Sequence, residues 1–251
     1  MTLIKQNSAD VIHRPPLTLL AAEPFRAAVE YVSQKLSKPD KAKHGDGHPV
    51  VIFPGLATDG HAVATLREHC RALEYDAMDW GQGFNTGPQG DLENWLQHLR
   101  LQMTAMLNGR TQKATFVGWS LGGLYAREIA KLMVPRVQQV ISLGTPFNAE
   151  ADYTNVGWLF RILSGTYPPI DSALSQRLRT PPPIRTTAIF SRSDGVVAWQ
   201  TCRHGKDSPL VHDVEVDSSH IGMGWNKKVL SAVADHLWSP QVLTRCKSRL
   251  H

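Results

Sequence analysis

The stretch Ala114-Thr-Phe-Val-Gly-Trp-Ser-Leu-Gly-Gly123 decides how the rest of this sequence is interpreted. Four of its first six residues (Thr115, Phe116, Val117 and Trp119) are β-branched or aromatic, as is typical of a buried strand. The run that follows, Leu124–Ala130, favours a helix. Between the two lies a G-x-S-x-G sequence, the pattern of a strained strand-to-helix turn that exposes a nucleophilic Ser120. Gly118 and Gly122 fit that turn because a Cβ at either position would collide with a neighbouring strand or helix. The alternative is a plain glycine-rich turn.

Composition and charge restrict the class of protein. The chain has 251 residues, of which 42% are apolar, enough for one α/β domain with a full core. A net charge of +5 from 27 basic and 22 acidic residues, without a block of Lys or Arg, predicts no nucleic-acid partner. No apolar run approaches the roughly 20 residues of a membrane span. The N-terminus has no secretory signal pattern, and three widely spaced cysteines favour a reduced compartment, so we expect a cytoplasmic protein without a metal site.

Residues 1–47 are predicted to be a helical leader and linker, and residues 48–251 one α/β domain. The leader helix is expected at about Thr18–Leu36, because apolar residues recur there at helical intervals and should face the domain. These residues are Leu19, Ala22, Phe25, Ala28 or Val29, Val32 and Leu36. A partner-binding arm is the alternative for this segment.

Strand and helix patterns alternate along the rest of the chain. Strands are predicted at Val50–Phe53, Tyr75–Trp80, Thr115–Trp119, Val137–Leu143, Arg185–Phe190 and Leu210–Val216. Helices are predicted at His61–Leu73, at Asp91–Leu107 with Asp91 as N-cap, from the Ser120 turn to Met133, at Val196–Cys202 and at Asn226–Trp238, with a loop at His220–Trp225. This order predicts a mostly parallel sheet of about six strands with helices on both faces. The alternation breaks at about residues 148–183, which predicts a small helical cap.

Two further residues follow predicted strands and complete a candidate catalytic set. A serine hydroxyl needs an imidazole to take its proton, and the imidazole needs a carboxylate to fix its tautomer. Ser120, Asp194 and His220 occur in the Ser…Asp…His order of α/β-hydrolases, and the carboxyl ends of parallel strands meet at one edge of a sheet. Asp194 could instead form a turn with the following glycine, and Asp171 and Asp217 are the reserve acids. The other histidines are interpreted as ordinary surface or core residues.

An acyl transfer also needs hydrogen-bond donors for the developing oxyanion. One is expected from the backbone amide of Leu121, at the N-terminus of the helix that follows the serine. The other is expected from Leu56, since Pro54 has no N–H and Gly55 lets the backbone turn inward. A simple strand-to-helix turn is the alternative for this loop. Three aromatic residues are candidates for the substrate pocket: Trp119, Phe147 and Trp158.

These motifs resemble the α/β-hydrolase superfamily, in its bacterial esterase/lipase-like branch, from about Pro49 to Leu237. They are Phe53-Pro-Gly-Leu56, Gly118-Trp-Ser-Leu-Gly122, Ser191-Arg-Ser-Asp194 and Ser219-His220, with Leu143-Gly-Thr-Pro-Phe147 and Trp80-Gly-Gln-Gly-Phe-Asn-Thr-Gly-Pro88. The resemblance implies a nucleophile, acid and base at the three positions given above, oxyanion amides at Leu56 and Leu121, and no metal or organic cofactor. The sequence departs from many lipases in having Pro54 where they have a histidine. A helical leader also replaces the usual N-terminal strand pair.

The expected activity is that of a serine hydrolase which cleaves carboxylic esters through an acyl-enzyme, acting on a small-molecule ester or a lipid-like substrate. A lipase acting on longer acyl chains, or a thioesterase or acyltransferase, would use the same residues. A non-enzymatic binding protein on the same fold is the alternative from another class, but folding alone does not require Ser, Asp and His at three loop ends.

Overall fold

A computed structural model describes residues 12–36, 44–148, 172–205 and 208–237 of the chain. Its centre is a six-stranded sheet in which every neighbouring pair is parallel. The strands are β1 (Pro49–Phe53), β2 (Asp76–Asp79), β3 (Ala114–Trp119), β4 (Val137–Leu143), β5 (Arg185–Phe190) and β6 (Val211–Glu215). Their spatial order is β2-β1-β3-β4-β5-β6, which confirms the predicted parallel sheet.

The helices are α1 (Leu17–Lys35), α2 (Ala64–Ala72), α3 (Leu92–Met106), α4 (Leu121–Leu132), α5 (Ser172–Arg179) and α6 (Lys227–Leu237). Two short 3₁₀ turns lie at Trp199–Cys202 and Ile221–Gly224. Asp91 caps α3 as expected, because its side chain accepts a hydrogen bond from the amide of Asn94. None of the helices in the described ranges is both long enough and apolar enough to cross a bilayer.

The sheet is buried on both faces. Alternate residues of β1 point to opposite sides, so that Val51 and Phe53 join the core beneath α3 and α4. Val50 and Ile52 join the second core, which α2 and α6 cover. All five residues of β1 are buried, which explains why its sequence is a continuous apolar run rather than an alternating one.

The chain order creates a crevice at the carboxyl edge of the sheet. From β1 the chain crosses to β2 on one side and then returns to β3 on the other. At such a switch point the loops after the two central strands diverge, and ligands of open parallel sheets bind between them. The loop after β1 contains Leu56, and the loop after β3 contains Ser120.

The leader helix forms where the sequence predicts it, but the prediction of its packing face is wrong in part: Leu19 and Ala22 are half-buried, whereas the later apolar positions are not. Phe25, Val32 and Leu36 are 75%, 57% and 82% exposed. The face turned to the domain carries the buried residues Glu23 and Ala27 instead. The reason is that α1 packs on loops that present backbone N–H groups, which need hydrogen-bond acceptors rather than apolar contacts.

Two local predictions need correction. The helix expected at Val196–Cys202 is reduced to a 3₁₀ turn at Trp199–Cys202. The carboxylate of Asp194 accepts the amides of Val196 and Val197, and this local hydrogen bonding competes with a helical start. The segment predicted as a loop after His220 contains the second 3₁₀ turn.

Most of the predicted cap lies outside the described residues, and so do Trp158 and Asp171. The described part of that segment includes α5, which lies beside α4. Lys131 and Arg127 of α4 donate hydrogen bonds to backbone carbonyls of α5. The division of the chain into a leader, a main domain and a cap stays a prediction.

Candidate active site

The turn at Ser120 is strained and held by close backbone contacts. Ser120 has φ 54° and ψ −122°, an unfavourable conformation for a residue with a side chain. A Cβ on Gly118 would lie 2.4 Å from the carbonyl oxygen of Gly122. A Cβ on Gly122 would lie 2.4 Å from the carbonyl oxygen of Phe53. Both glycines are therefore required sterically, as the sequence predicts, and the turn projects the Ser120 side chain from the end of β3.

The three side chains that follow β3, β5 and β6 form a continuous hydrogen-bonded chain. Ser120 Oγ lies 3.1 Å from His220 Nε2, and His220 Nδ1 lies 2.7 Å from Asp194 Oδ2. A carboxylate only accepts hydrogen bonds, which assigns the Nδ1–H tautomer to the neutral imidazole and leaves Nε2 to accept from the serine hydroxyl. All three residues are buried, with exposures of 8%, 3% and 6% for Ser120, Asp194 and His220.

Asp194 is fixed by both of its oxygens. Oδ1 accepts the amides of Val196 and Val197 at 2.8 and 2.7 Å, while Oδ2 faces His220. The residue thus forms its own turn and also orients the imidazole. Asp217, a reserve acid, is exposed and bonds to Ser193 Oγ and Lys228 Nζ instead.

The environment of His220 changes its basicity. Burial of the ring lowers its pKa, since a charged imidazolium loses solvation, and this is the largest single influence. The charge and hydrogen bond of Asp194, together with the charge of Glu23, raise the pKa. The net result is a His220 pKa above the ordinary value of 6.5. The surroundings therefore favour the protonated ring that forms when His220 takes a proton from a serine.

Two backbone amides beside the crevice are available as donors. Leu121 is the first residue of α4, so its N–H has no acceptor within the helix and lies at the positive end of the helix dipole. In the described part of the chain, the N–H of Leu56 donates no hydrogen bond either. Asn85 fixes the loop around Leu56, since its side-chain Nδ2 donates to the carbonyl of Pro54 and its backbone carbonyl accepts from Ala57.

Asn85 is a residue that sequence reasoning missed. It lies in the glycine-rich loop after β2, inside the Trp80–Pro88 motif, but the motif by itself gives this asparagine no role. It is 1% exposed, and its backbone N–H also donates to Thr58 at 2.7 Å. Its contacts hold the loop after β1 in place, beside the crevice.

The candidate pocket residues occupy different surroundings. Trp119 donates from Nε1 to the carbonyl oxygen of His220 at 3.1 Å, and its ring lies against Gly55. Phe147 is only 1% exposed and lies in the core, with the guanidinium of Arg127 3.8 Å above its ring. A pocket-lining role for Trp119 stays a prediction.

A second histidine–aspartate pair lies elsewhere in the fold. His204 Nδ1 lies 3.0 Å from Asp213 Oδ1, while its Nε2 lies 3.0 Å from Nη1 of the buried Arg127. Burial, followed by the charge of Arg127, lowers the pKa of His204 despite the aspartate. Because Nε2 already accepts from the arginine, this pair joins α4 to β6 and has no free ring nitrogen for a reaction. Within the described ranges no group of three or more His, Cys, Asp or Glu side chains forms a metal site.

Comparisons with known proteins agree with this fold. No family model matches the sequence. The pimeloyl-[acyl-carrier protein] methyl ester esterase of Legionella pneumophila (strain Paris) is 28% identical over 116 residues, which are 45% of this chain and 46% of that protein. The chain thus spans about half the length of the curated relative it matches.

Solved structures match over a larger part of the chain. Bacillus licheniformis lipase BlEst2 has a TM-score of 0.57 at 17% identity, covering 81% of this chain and 95% of the lipase. A structure of the metagenome-derived lipolytic enzymes LipS and LipT has a TM-score of 0.57 at 15% identity, covering 78% of this chain and 95% of that one. The chain therefore has the α/β-hydrolase fold, as its sequence motifs predict.

Proposed function

We propose that this protein is a serine hydrolase that cleaves carboxylic esters through an acyl-enzyme. The observation that carries the proposal is the chain of contacts from Ser120 Oγ to His220 (3.1 Å) and from His220 to Asp194 (2.7 Å). This chain lies at the carboxyl edge of the sheet, beside the switch point where ligands of such folds bind. Ser120 is placed to act as the nucleophile of an acyl transfer, His220 as its general base and Asp194 as the carboxylate that orients the base.

In the first half of the reaction, Ser120 Oγ attacks the ester carbonyl carbon while its proton passes to His220 Nε2. Asp194 keeps Nδ1–H of the ring oriented and stabilises the imidazolium. The attack moves the carbonyl electron pair onto oxygen, and the amides of Leu56 and Leu121 are proposed to bind that oxyanion. When the pair returns, the bond to the alcohol breaks and His220 Nε2 protonates the departing oxygen.

In the second half, water takes the place of the alcohol. His220 Nε2 accepts one proton from the water as the water oxygen attacks the acyl carbon. A second tetrahedral intermediate forms, and the same two amides bind its oxyanion. Its collapse breaks the bond to Ser120 Oγ, which takes the proton back from His220. The products are a carboxylic acid and the restored serine, so the reaction needs no cofactor.

The names of the matched proteins support the choice of substrate class. They include esterases and lipases, which cleave carboxylic esters. Since the curated relative is matched over only about half of its length, we propose the ester class and not that relative's substrate. Lipase activity on longer chains, thioesterase activity and acyl transfer would all use the same acyl-enzyme.

The test is reaction with a fluorophosphonate probe, followed by peptide mapping and an ester panel of increasing acyl length. Covalent labelling at Ser120 and turnover of short nitrophenyl esters are expected. A purified, folded protein that neither labels nor turns over any ester or thioester would support the binding-protein alternative instead. A marked preference for long-chain emulsions would assign a lipase, and a preference for thioesters would assign a thioesterase.

A cytoplasmic location is part of the proposal. It is supported by Cys70 and Cys202, which are both buried and free in the described part of the chain. Burial raises the pKa of the Cys70 thiol to about 12, which keeps it protonated and unreactive. Fractionation of the native cell tests the location, since recovery with exported proteins would exclude it.

A further inference from the structure

Helix α1 turns two carboxylates toward the loops that carry the acid and the base. Here residues 191–197 are called the acid loop and residues 217–222 the base loop. Glu23 and Glu30 are seven residues apart, which is about two helical turns and therefore the same face. Glu23 is only 1% exposed, although an ionised carboxylate is costly to bury without partners.

The partners of Glu23 are backbone amides of both loops. Oε1 accepts from Gly195 N at 2.8 Å and from His220 N at 3.0 Å. Oε2 accepts from Ile221 N at 3.0 Å. One carboxylate thus bonds to the residue after Asp194, to the histidine itself and to the residue after it, and so holds the two loops together.

The contact of α1 with the acid loop is too close for another residue at position 195. A Cβ on Gly195 would lie 2.5 Å from the backbone carbonyl carbon and oxygen of Leu19. Arg26 reinforces the contact, because its guanidinium donates to the carbonyl and hydroxyl oxygens of Ser193. The acid loop therefore rests directly on the backbone of α1.

Glu30 bonds to the base loop at a neighbouring position. It accepts from Ser219 N at 2.7 Å and from Ser219 Oγ at 2.9 Å, but it makes no hydrogen bond to His220 or Gly195. A Cβ on Gly222 would lie 1.7 Å from Glu30 Oε2, so this loop is also shaped around the helix. Glu30 thus fixes the helix to the loop without contacting the residues of the proposed acid–base pair.

We propose that Glu23 is a positioning residue for the Asp194–His220 pair: by bonding the amides on both loops, it holds the imidazole in line between Asp194 and Ser120. This inference rests on the proposed function, because it assigns a role in the same site. It also gives the leader helix a task in catalysis rather than in folding alone.

The role requires a group that only accepts hydrogen bonds. A glutamine at position 23 would keep the shape but present an NH₂ group to one of the amides, so that two donors would face each other. It would also remove a negative charge near the ring. Among the described residues, the charged groups on the elements packed around His220 include Asp194 on the acid loop, Asp217 on the base loop, and Glu30 and Arg26 on α1. The Arg26 guanidinium lies 3.9 Å from the Glu23 carboxylate and 3.8 Å from that of Asp217. The charges of Asp194 and Glu23 raise the pKa of His220 against the effect of burial.

The experiment compares Glu23→Gln with Glu30→Gln, its matched control on the same helix face, and with Glu68→Gln on the exposed surface of α2. For each variant, kcat, KM, the pH profile of kcat/KM and the melting temperature are measured with a nitrophenyl ester. Glu23→Gln is expected to lower kcat by about 10- to 100-fold with little change in KM, because the loops carry the reacting groups slightly out of line. Its acid limb should move to lower pH.

The two controls separate positioning from simple helix docking. Glu30→Gln should lower the melting temperature while leaving the midpoint of the acid limb in place, and Glu68→Gln should change neither. The proposal is overturned when Glu23→Gln keeps kcat within about twofold of wild type, or when Glu30→Gln reproduces both the kcat loss and the pH shift. Should Glu23→Gln not fold, Glu23→Asp keeps the charge on a shorter side chain; a full kcat in that variant also overturns it.

Failure of the proposed hydrolase function can be distinguished from failure of the role proposed for Glu23. When the wild type neither hydrolyses esters nor reacts with a fluorophosphonate, the hydrolase assignment fails. The titration of the His220 ring, followed by NMR in the wild type and in Glu23→Gln, then tests the helix contact on its own. A lower midpoint in the variant supports the action of Glu23 on the imidazole, and an unchanged midpoint contradicts it.

Discussion

The indole Nε1 of Trp119 donates a hydrogen bond to the backbone carbonyl of His220, at 3.1 Å. Trp119, which directly precedes the proposed nucleophile Ser120, thereby holds the backbone of His220, the proposed base. Across the crevice, the same indole ring packs against Gly55, where a Cβ would lie 3.1 Å from it. The G-x-S-x-G pattern leaves this position open, but the structure gives its side chain a definite contact.

Trp119→Phe should lower kcat by about 10-fold and stability by about 1 kcal/mol, because it removes the bond to His220 and keeps most of the apolar surface. Trp80→Phe is the matched control, since Trp80 Nε1 donates to Gly83 O at 3.0 Å and does not contact His220. Steady-state kinetics and thermal melting of both variants test the difference. Equal kcat losses would assign the effect to general destabilisation.

Ser120→Ala should reduce kcat by about 10⁶-fold and abolish fluorophosphonate labelling, because no other group supplies the attacking oxygen. Ser142→Ala is the control, as Ser142 is also buried but bonds to Thr187 O on β5. Turnover of a nitrophenyl ester and mass spectrometry of the labelled protein measure the outcome. Near wild-type turnover by Ser120→Ala would refute the nucleophile assignment.

Asp194→Asn should lower kcat by about 10⁴-fold, since an amide does not hold the Nδ1–H tautomer or stabilise the imidazolium. Asp217→Asn, at an exposed side chain that bonds to Lys228, should stay within about twofold of wild type. Initial rates of both variants at saturating ester concentration measure kcat and show which of the two carboxylates the reaction needs. A larger loss in Asp217→Asn than in Asp194→Asn would reassign the acid.

The pH profile of kcat/KM should have an acid limb with its midpoint above 6.5, because the pKa of His220 is raised. The neutral ring is the base, so activity should be lost as pH falls through that raised pKa. The contribution of this shift to stability has the opposite dependence: it is complete below the unfolded pKa and is lost as pH rises through the folded one. Rates measured from about pH 5 to pH 9 test the midpoint, and a value below 6.5 would contradict the assigned environment.

Gly122→Ala should destabilise the protein by about 1–3 kcal/mol or more, because the new Cβ would lie 2.4 Å from the carbonyl oxygen of Phe53. The control Gly83→Ala has no atom within 4 Å of its new Cβ, although its φ of +69° adds some backbone strain. Urea unfolding of both variants measures the difference. A smaller loss for Gly122→Ala than for Gly83→Ala would show that the turn relaxes.

Much of the fold could be predicted because its determinants are local in the sequence. The apolar run of β1 identifies a strand buried on both faces, and the two glycines around Ser120 identify a turn without room for side chains. The order Ser120, Asp194, His220 places each residue after a strand, and parallel strands bring their carboxyl ends to one edge. The sequence by itself therefore determined the architecture and the three residues that meet there.

The sequence did not reveal which surfaces meet. The periodicity of α1 identifies a helix with an apolar stripe, yet the helix packs through Glu23 and Ala27 and leaves Phe25 exposed. Phe147, a candidate for the substrate pocket, likewise lies in the core against Arg127. Nothing in the sequence around Phe147 indicates this contact.

Only the tertiary structure decided how the acid and base loops are held. Glu23 bonds to amides 172 and 197 residues farther along the chain, and Asn85 holds the loop around Leu56 from the end of a different strand. Backbone N–H groups are the same at every residue except proline, so no sequence pattern indicates which of them a folded loop will leave in need of an acceptor. That need arises only when the loops are brought together, and it is met by whichever carboxylate or amide packs against them.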